Sequence, residues 1–280
     1  MLNIGEINSL QVLRKTDIGY MLTDGKEEVL LHNNETNFTK LEVSQTVDAF
    51  LYYDHKARLA ATLSKPIITT KRPGFVTVKD VNETLGVFID NGISKDMLVS
   101  TDFLPYERAL WPQVGDTLYC ILRHKNRLTA KPLNKVDIDL NPEHKLDAGA
   151  LVEAYVIHAG KEGLNMLTQA GHILFVHHTQ MREPHRMGEK LEVRIARVTP
   201  GDYSGSLIEP KEIMMDKDAE MIYEYLKQHG KMPLTANSDK EAIDAQFGLS
   251  KKAFKRALGR LYSERKVVFE NDETVLIKGE

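Results

Sequence analysis

The sequence has only one cysteine, Cys120, in 280 residues. A lone cysteine cannot form an internal disulfide, and no Cys-x-x-Cys pair is present to bind zinc or carry redox chemistry. Cys120 lies within the apolar run Leu118–Leu122, where a thiol packs as a small hydrophobic group. The sequence therefore predicts a buried, unreactive Cys120 and gives no sign of an oxidising compartment.

Long apolar segments are also missing. No run of about 18 apolar residues occurs, so no membrane-spanning helix is predicted. The first six residues have neither the basic start nor the apolar stretch of a secretory signal. We therefore expect a cytoplasmic protein that does not bind membranes.

The chain has no excess of positive charge and no familiar catalytic motif. Its formal net charge is −3, so binding to polyanions must come from a local patch of the surface. P-loop, Gly-x-Ser-x-Gly and His-Glu-x-x-His motifs are absent. The sequence predicts a protein that is not an enzyme and uses no cofactor.

The sequence does contain an internal repeat. A glycine stands directly before an apolar strand three times, at Gly19, Gly86 and Gly163. Each is followed, in the same order, by a second strand, a polar connection, a third strand and a short closing strand. The third strand follows a glycine–acid pair in two repeats and Ser44-Gln45 in the first. Together with the strand before each glycine, every repeat has five strands.

Five short strands suit the OB-type barrel, which removes sheet edges by closure. We predict three such barrels, over residues 1–65 (repeat one), 66–135 (repeat two) and 148–213 (repeat three). The polar segment Lys135–Asp147 is predicted to link the last two. The alternative is one large β-sandwich, although the order of features is kept three times.

After about residue 214 the apolar residues follow a helical period. Gly230 and Gly248 are suited to end helices, and Ser250 to begin one. Two short apolar strands follow near the C-terminus. Three helices and a hairpin predict a winged helix-turn-helix domain over residues 214–280.

Several motifs resemble those of the S1 RNA-binding domain, an OB-fold module. They are the strands Gly86–Asp90 and Phe175–Thr179 and the Val-Gly-Asp sequence before the fourth strand of repeat two. Segments 86–99 and 249–262 are similar to the conserved virulence factor B family of bacteria. The resemblance covers nearly the whole chain. It implies a mainly β fold of three tandem S1-like barrels followed by a winged helix, which binds RNA and regulates gene expression after transcription without catalysis.

Phe88 is predicted to stack on an RNA base. Binding of single-stranded RNA needs flat aromatic faces for bases and basic groups for phosphates. Phe88 alternates with Val87 and Ile89, so it points to the opposite face of the strand. A place in the barrel core is the alternative, because all three residues are apolar. Met21 and Asn165 occupy the position of Phe88 in the other repeats, which puts stacking there in doubt.

Other ring side chains could also stack on bases or hydrogen-bond to them: Tyr20, His32 and His177. His177 belongs to a group of histidines in repeat three that invites a metal site. However, neighbouring residues on a strand face opposite ways, and no carboxylate or cysteine completes a ligand spacing. We therefore predict that no metal is bound.

Local charge favours repeat two as the platform for RNA. The net charge is −2 over residues 1–65, +3 over 66–135, −4 over 136–213 and zero over 214–280. Phosphate neutralisation dominates affinity for nucleic acids. The candidate phosphate contacts of repeat two are Lys71 and Arg72 before its first strand and Arg123, Lys125 and Arg127 before its last. In OB folds the loop between strands four and five borders the ligand face.

The third helix of the winged domain offers a second basic surface. At 100° per residue, one side carries Lys252, Lys255, Arg256 and Arg260. Gly259 lies within this side, where a glycine would let another backbone approach closely. Helix-turn-helix folds use this helix to contact nucleic acids.

Three functions are therefore compared. The first is a monomeric regulator that binds single-stranded RNA and acts with the ribosome or RNA-processing proteins. The second is a DNA-binding transcription factor that uses the winged helix, although the net charge of that domain is zero. The third is a protein-interaction scaffold on the ribosome or on RNA-degradation machinery. The net negative charge of repeats one and three is compatible with this third function.

Overall fold

The computed structural model of the chain describes residues 2–199, 201–208, 211–270 and 272–277, with the main chain alone over 211–216. The chain forms two compact units, Met1–Leu207 and Ile208–Glu280. The first unit holds all three β repeats and the second the winged helix.

Repeats one and three are closed five-stranded barrels with the same strand order, 1-2-3-5-4 within each repeat. Repeat one consists of β1 (Ile7–Thr16), β2 (Gly19–Thr23), β3 (Glu28–His32), β4 (Thr46–Tyr53) and β5 (Leu59–Thr62). Repeat three consists of β11 (Leu151–Gly160), β12 (Gly163–Thr168), β13 (Ile173–His177), β14 (Lys190–Thr199) and β15 (Asp202–Ser206). In both, the third and fifth strands pair in parallel and close the sheet.

Repeat two has the same strands in the same order but is less tightly closed. It consists of β6 (Gly74–Asn82), β7 (Gly86–Ile89), β8 (Met97–Ser100), β9 (Thr117–His124) and β10 (Leu128–Pro132). Its sheet order is β10-β9-β6-β7-β8. The two end strands, β8 and β10, lie side by side, yet they do not form the parallel ladder of the other repeats. The predicted fold class is confirmed, with this difference in the middle barrel.

The glycine that begins the second strand of each repeat is required by the close packing of that strand against the third strand. Gly19, Gly86 and Gly163 have φ values between +125° and +157°. A Cβ atom on any of them would clash with a main-chain carbonyl oxygen of the third strand. Only glycine, which lacks a Cβ, fits this close approach and this backbone conformation. The repeated glycine therefore marks one geometric requirement, met three times.

The residue two positions before the fourth strand of each repeat also repeats a conformation. Gly115 and Gly188 have φ values of +94° and +84°, and Ser44 has +71°. Ser44 thus adopts the left-handed conformation that glycine adopts in the other two repeats. Ser44-Gln45 therefore takes the place of the glycine–acid pair with the same backbone conformation.

The three repeats pack against one another through shared cores. Phe50 and Tyr52 of repeat one pack within the core of repeat two. Tyr119 of repeat two packs with Ile157 and Leu167 of repeat three in a smaller cluster between the two barrels. These contacts explain why the repeats form one compact unit.

A partly buried ion pair also joins repeats two and three. Arg186 donates from Nε and Nη2 to the two carboxylate oxygens of Asp116, at 2.7 and 2.9 Å. Asp116 is 8% exposed. A bidentate pair of this kind fixes orientation as well as distance.

The segment between repeats two and three is packed rather than loose. Ile138 lies against the cluster between these barrels, and Leu146 packs on the core of repeat three. The ring of His172 is buried and lies 2.6 Å from the carbonyl oxygen of His144. The predicted linker is thus part of the compact unit.

The second unit is a winged helix with a three-stranded sheet. Its elements are α1 (Lys211–His229), β16 (Lys231–Met232), α2 (Lys240–Phe247), α3 (Lys251–Ser263), β17 (Val267–Glu270) and β18 (Glu273–Leu276). Ser250 caps α3 by accepting a hydrogen bond from the Ala253 amide, as predicted. The short strand β16 pairs with β18 and was not predicted.

Two predictions, based on the single cysteine and on the lack of long apolar runs, can be compared with the structure. Cys120 is fully buried, and burial raises the pKa of its thiol well above the ordinary value. The predicted hydrophobic role of Cys120 is confirmed. Among the described residues, no helix has the length and apolar character needed to cross a membrane.

We predict that Gly86→Ala lowers the free energy of unfolding by more than about 1 kcal/mol, because alanine is strained at this φ and clashes with the Val99 carbonyl oxygen. The matched control is Gly259→Ala in α3, where a Cβ meets open space. That variant should be up to about 1 kcal/mol more stable. Thermal unfolding measures both, and equal effects would contradict the proposed reason for the repeated glycine.

Candidate nucleic-acid interface

The side chain of Phe88 faces out of its barrel. Its neighbours Val87 and Ile89 are fully buried in the core of repeat two, whereas Phe88 is partly exposed. On the adjacent strand Phe88 lies opposite Leu98, which is also partly exposed. The alternative that Phe88 fills the core is therefore wrong, and its side chain is partly exposed on the outer face of the barrel.

Tyr20 lies inside the barrel. It is 7% exposed and belongs to the core of repeat one. Its hydroxyl accepts a hydrogen bond from the Leu41 amide at 3.4 Å. The prediction that Tyr20 contacts RNA is wrong, because the buried ring leaves no face for a base. Met21 shares the outward position of Phe88, and since side chains alternate along a strand, the sequence already indicated an inward Tyr20.

Many basic residues of repeat two are engaged by carboxylates. Four form ion pairs: Lys79 with Asp90 and Asp96, Arg108 with Glu83, Lys131 with Asp137, and Lys135 with Asp202. Such pairs reduce the charge that a phosphate would meet. They also raise the pKa of Lys79, mainly through the hydrogen bond to Asp90.

The other basic residues of repeat two form no ion pair within the part of the chain that the structure describes. These are Lys71, Arg72, Lys95, Arg123, Lys125 and Arg127. They include all five cations predicted for this repeat. The net positive charge of repeat two is thus carried by this set, which we call the unpaired cations.

The unpaired cations share one end of the barrel. The turn that carries Lys71 is joined to β9 by a hydrogen bond from the Leu122 amide to the Thr69 carbonyl oxygen. Arg123 is the next residue on β9, and Lys125 and Arg127 lie in the exposed hairpin that follows. This end is the one where the hairpin between strands four and five borders the ligand face of an OB fold.

Lys95 is a member of this set that the sequence did not suggest. Its Nζ donates to the carbonyl oxygens of Tyr53 and Asp54 in repeat one, at 2.7 and 2.9 Å. Burial lowers the pKa of Lys95, and the nearby charge of Arg127 lowers it further, against the opposing effect of Asp54. Only the packing of repeat one on repeat two brings these groups together.

Two ring side chains meet at the same junction. The hydroxyl of Tyr53 lies 3.2 Å from Nε2 of His124, and the ring centroids are 5.7 Å apart. His124 is exposed in the basic hairpin and Tyr53 is partly exposed. Sequence reasoning missed both, because the contact joins residues of different repeats.

His32 and His177 occupy equivalent positions at the ends of the third strands. In each, Nδ1 accepts a hydrogen bond from a main-chain amide, that of Asn34 in one and of Thr179 in the other. The second ring nitrogen, Nε2, forms no hydrogen bond with the residues that the structure describes. Within the described ranges, histidines, cysteines and carboxylates form no cluster that could hold a metal ion.

In the winged helix, the predicted basic residues are placed on the outer side of α3. Lys252, Lys255 and Arg256 are exposed, whereas Nε of Arg260 donates to Glu264 at 2.8 Å. Gly259 has open space beside it. At the end of this side, Tyr262 stacks on Phe269 of β17 with ring centroids 5.3 Å apart.

Comparisons with known proteins agree with this architecture. Residues 4–64 match a model of the S1 domain, residues 74–131 match the CvfB first S1-like domain, and residues 220–276 match the CvfB-like winged helix domain. S1-like and winged-helix domains are nucleic-acid-binding types and not catalytic families.

Full-length relatives give the family. A Bacillus subtilis protein, uncharacterized protein YitL, is 38% identical over 279 residues, which cover 96% of this chain and 92% of the relative. A crystal structure of a multidomain protein with nucleic acid binding domains from Streptococcus pneumoniae is 28% identical, covers 98% of both chains and has a TM-score of 0.65. Conserved virulence factor B of Staphylococcus aureus is 30% identical over 284 residues, which cover 98% of this chain and 94% of the relative. The chain belongs to the conserved virulence factor B family.

Proposed function

We propose that the protein binds single-stranded RNA without catalysis and regulates gene expression after transcription. Repeat two is the main platform. The observation that carries this proposal is the position of the unpaired cations at one end of a barrel whose second strand presents Phe88 outward. Binding of a single strand requires both the stacking of bases on aromatic rings and contacts between cations and phosphates.

The surroundings of Phe88 suggest the path of the strand. On one side Phe88 lies opposite Asp80 of β6, and Asp90 and Asp96 lie nearby around Lys79. On the other side come β8 and then β10, which begins directly after the basic hairpin. Phosphates avoid carboxylates, so the strand is expected to run from Phe88 across β8 towards the hairpin.

The first test compares nucleic acids. At moderate salt the full-length protein should bind a single-stranded RNA more tightly than a duplex DNA of the same length, and binding should weaken as salt rises. Fluorescence anisotropy of labelled ligands measures both affinities. Tighter binding to duplex DNA would favour the winged helix as a reader of DNA and overturn the RNA proposal.

The second test removes charge. Replacing Arg123, Lys125 and Arg127 together by alanine should weaken RNA binding and flatten its salt dependence, because each lost phosphate contact reduces the slope of log K against log salt by about 0.7 for a single strand. The control replaces Lys26 and Lys40, which are exposed in acidic repeat one. Equal losses in both variants would contradict the preference for repeat two.

The third test concerns stacking. Phe88→Ala should cost little stability and about 1–3 kcal/mol of RNA affinity, since the ring lies outside the core. Its buried neighbour provides the control, because Ile89→Ala should cost about 2–5 kcal/mol of stability. Thermal unfolding and RNA titration are measured side by side. Unchanged affinity of folded Phe88→Ala would remove Phe88 from the site.

A further inference from the structure

Repeat three has an outward aromatic residue on a different strand from repeat two. Phe175 of β13 is partly exposed, while its neighbours Leu174 and Val176 are fully buried. Across the ladder Phe175 lies opposite Asn165 of β12. Asn165 is the residue that occupies the position of Phe88.

The three repeats can be compared at this one cross-strand pair. It is Met21 with Leu30 in repeat one, Phe88 with Leu98 in repeat two, and Asn165 with Phe175 in repeat three. Side chains directly opposite each other have Cβ atoms only about 5 Å apart. An aromatic ring on either strand therefore covers nearly the same patch, and repeat three keeps the ring by moving it to the other strand.

The exchange adds a polar group beside the ring. Asn165 is partly exposed, and its side chain makes no hydrogen bond to any other residue that the structure describes. A carboxamide offers a donor and an acceptor side by side. In repeat two the residue beside the ring is Leu98, which offers neither.

The row continues around the barrel on both sides. His158 of β11 lies opposite Asn165, and exposed Ser204 of β15 lies beside Phe175. Beyond Ser204 comes Arg197 of β14, which is exposed and forms no ion pair within the described residues. A small residue next to the ring leaves its face open, and Arg197 places one cation on the same outer surface.

A groove borders this row. It has a volume of about 740 Å³ and runs between repeats two and three, with His158, His178 and the exposed ring of Tyr106 on its walls. The ring of His178 lies 4.2 Å from that of His177, and His177 lies 6.3 Å from Phe175. The outward face of repeat three is thus rich in flat side chains.

We propose that Phe175 and Asn165 form a second base-binding site that gives the protein a preference among bases. One unstacked base of a single-stranded RNA stacks on Phe175, and the Asn165 carboxamide hydrogen-bonds to its edge. Adenine is the favoured base, because a purine covers more of the Phe175 ring than a pyrimidine does, and its amino group beside a ring nitrogen matches the acceptor and donor of a carboxamide. The inference rests on the proposed RNA function and separates two roles: repeat two supplies affinity, and repeat three supplies selectivity.

The experiment uses the full chain and labelled homo-oligonucleotides of adenylate and uridylate, with affinities from fluorescence anisotropy and folding checked by thermal unfolding. Phe175→Leu introduces the residue that repeats one and two carry at this position, and Asn165→Met introduces the residue of repeat one. Arg197→Gln is the matched control for a phosphate contact, which carries no base information.

The unaltered protein should bind oligoadenylate more tightly than oligouridylate. Phe175→Leu should weaken binding of both by about 5- to 150-fold, the loss of one stacked base. Asn165→Met should weaken binding of adenylate more than that of uridylate, whereas Arg197→Gln should weaken both equally.

Three results would overturn the proposal, and each differs from failure of the proposed function. If Phe175→Leu binds RNA as tightly as the wild type while Phe88→Ala binds it more weakly, repeat three is not part of the binding site. If the wild type binds the two oligonucleotides with equal affinity, or if Asn165→Met changes both affinities equally, repeat three does not distinguish between bases. If the unaltered protein binds neither oligonucleotide, the RNA function itself fails.

Discussion

The close approach of two strands at one glycine determines what each barrel can present on its surface. Gly19, Gly86 and Gly163 each bring the start of the second strand against a carbonyl oxygen of the third. This contact admits no slip in the pairing of the two strands. A shift by one residue would turn every side chain to the other face, burying Phe88 and exposing Ile89. The outward rows of repeats two and three therefore both depend on the glycine that begins the second strand.

The arrangement of ion pairs matters more for the interface than the sum of charges. Repeat two has a net charge of +3, yet Lys79, Arg108 and Lys131 face carboxylates. What remains unpaired is concentrated near the β9–β10 hairpin. Exposed ion pairs contribute little to stability, so the main effect of these pairs is to neutralise the cations that lie away from the hairpin. The contrast between the neutralised surface and the hairpin gives a bound strand a direction.

Much of the fold could be predicted from sequence, because local rules decide it. Glycine before a strand, Ser44 in place of a glycine, and the Ser250 cap each follow from backbone geometry within a few residues. The candidate site was harder to predict, because its residues come together only through the pairing of strands and the packing of the repeats. Three apolar residues in a row do not reveal whether Phe88 points outward, and Phe175 becomes the counterpart of Phe88 only when the ladder places it opposite Asn165. Lys95 joins the basic end through carbonyl groups of another repeat.

Packing of the repeats into one unit gives acidic repeat one a part in the basic surface of its neighbour. Its Tyr53 and Asp54 carbonyl oxygens hold the ammonium group of Lys95 beside the hairpin, although repeat one has a net charge of −2. The Asp116–Arg186 pair and the cluster around Tyr119 fix repeat three in the same way. A strand that contacts both repeats two and three then meets sites whose separation is already set. Its second contact is intramolecular and requires no ordering of a linker, which lowers the entropic cost of binding.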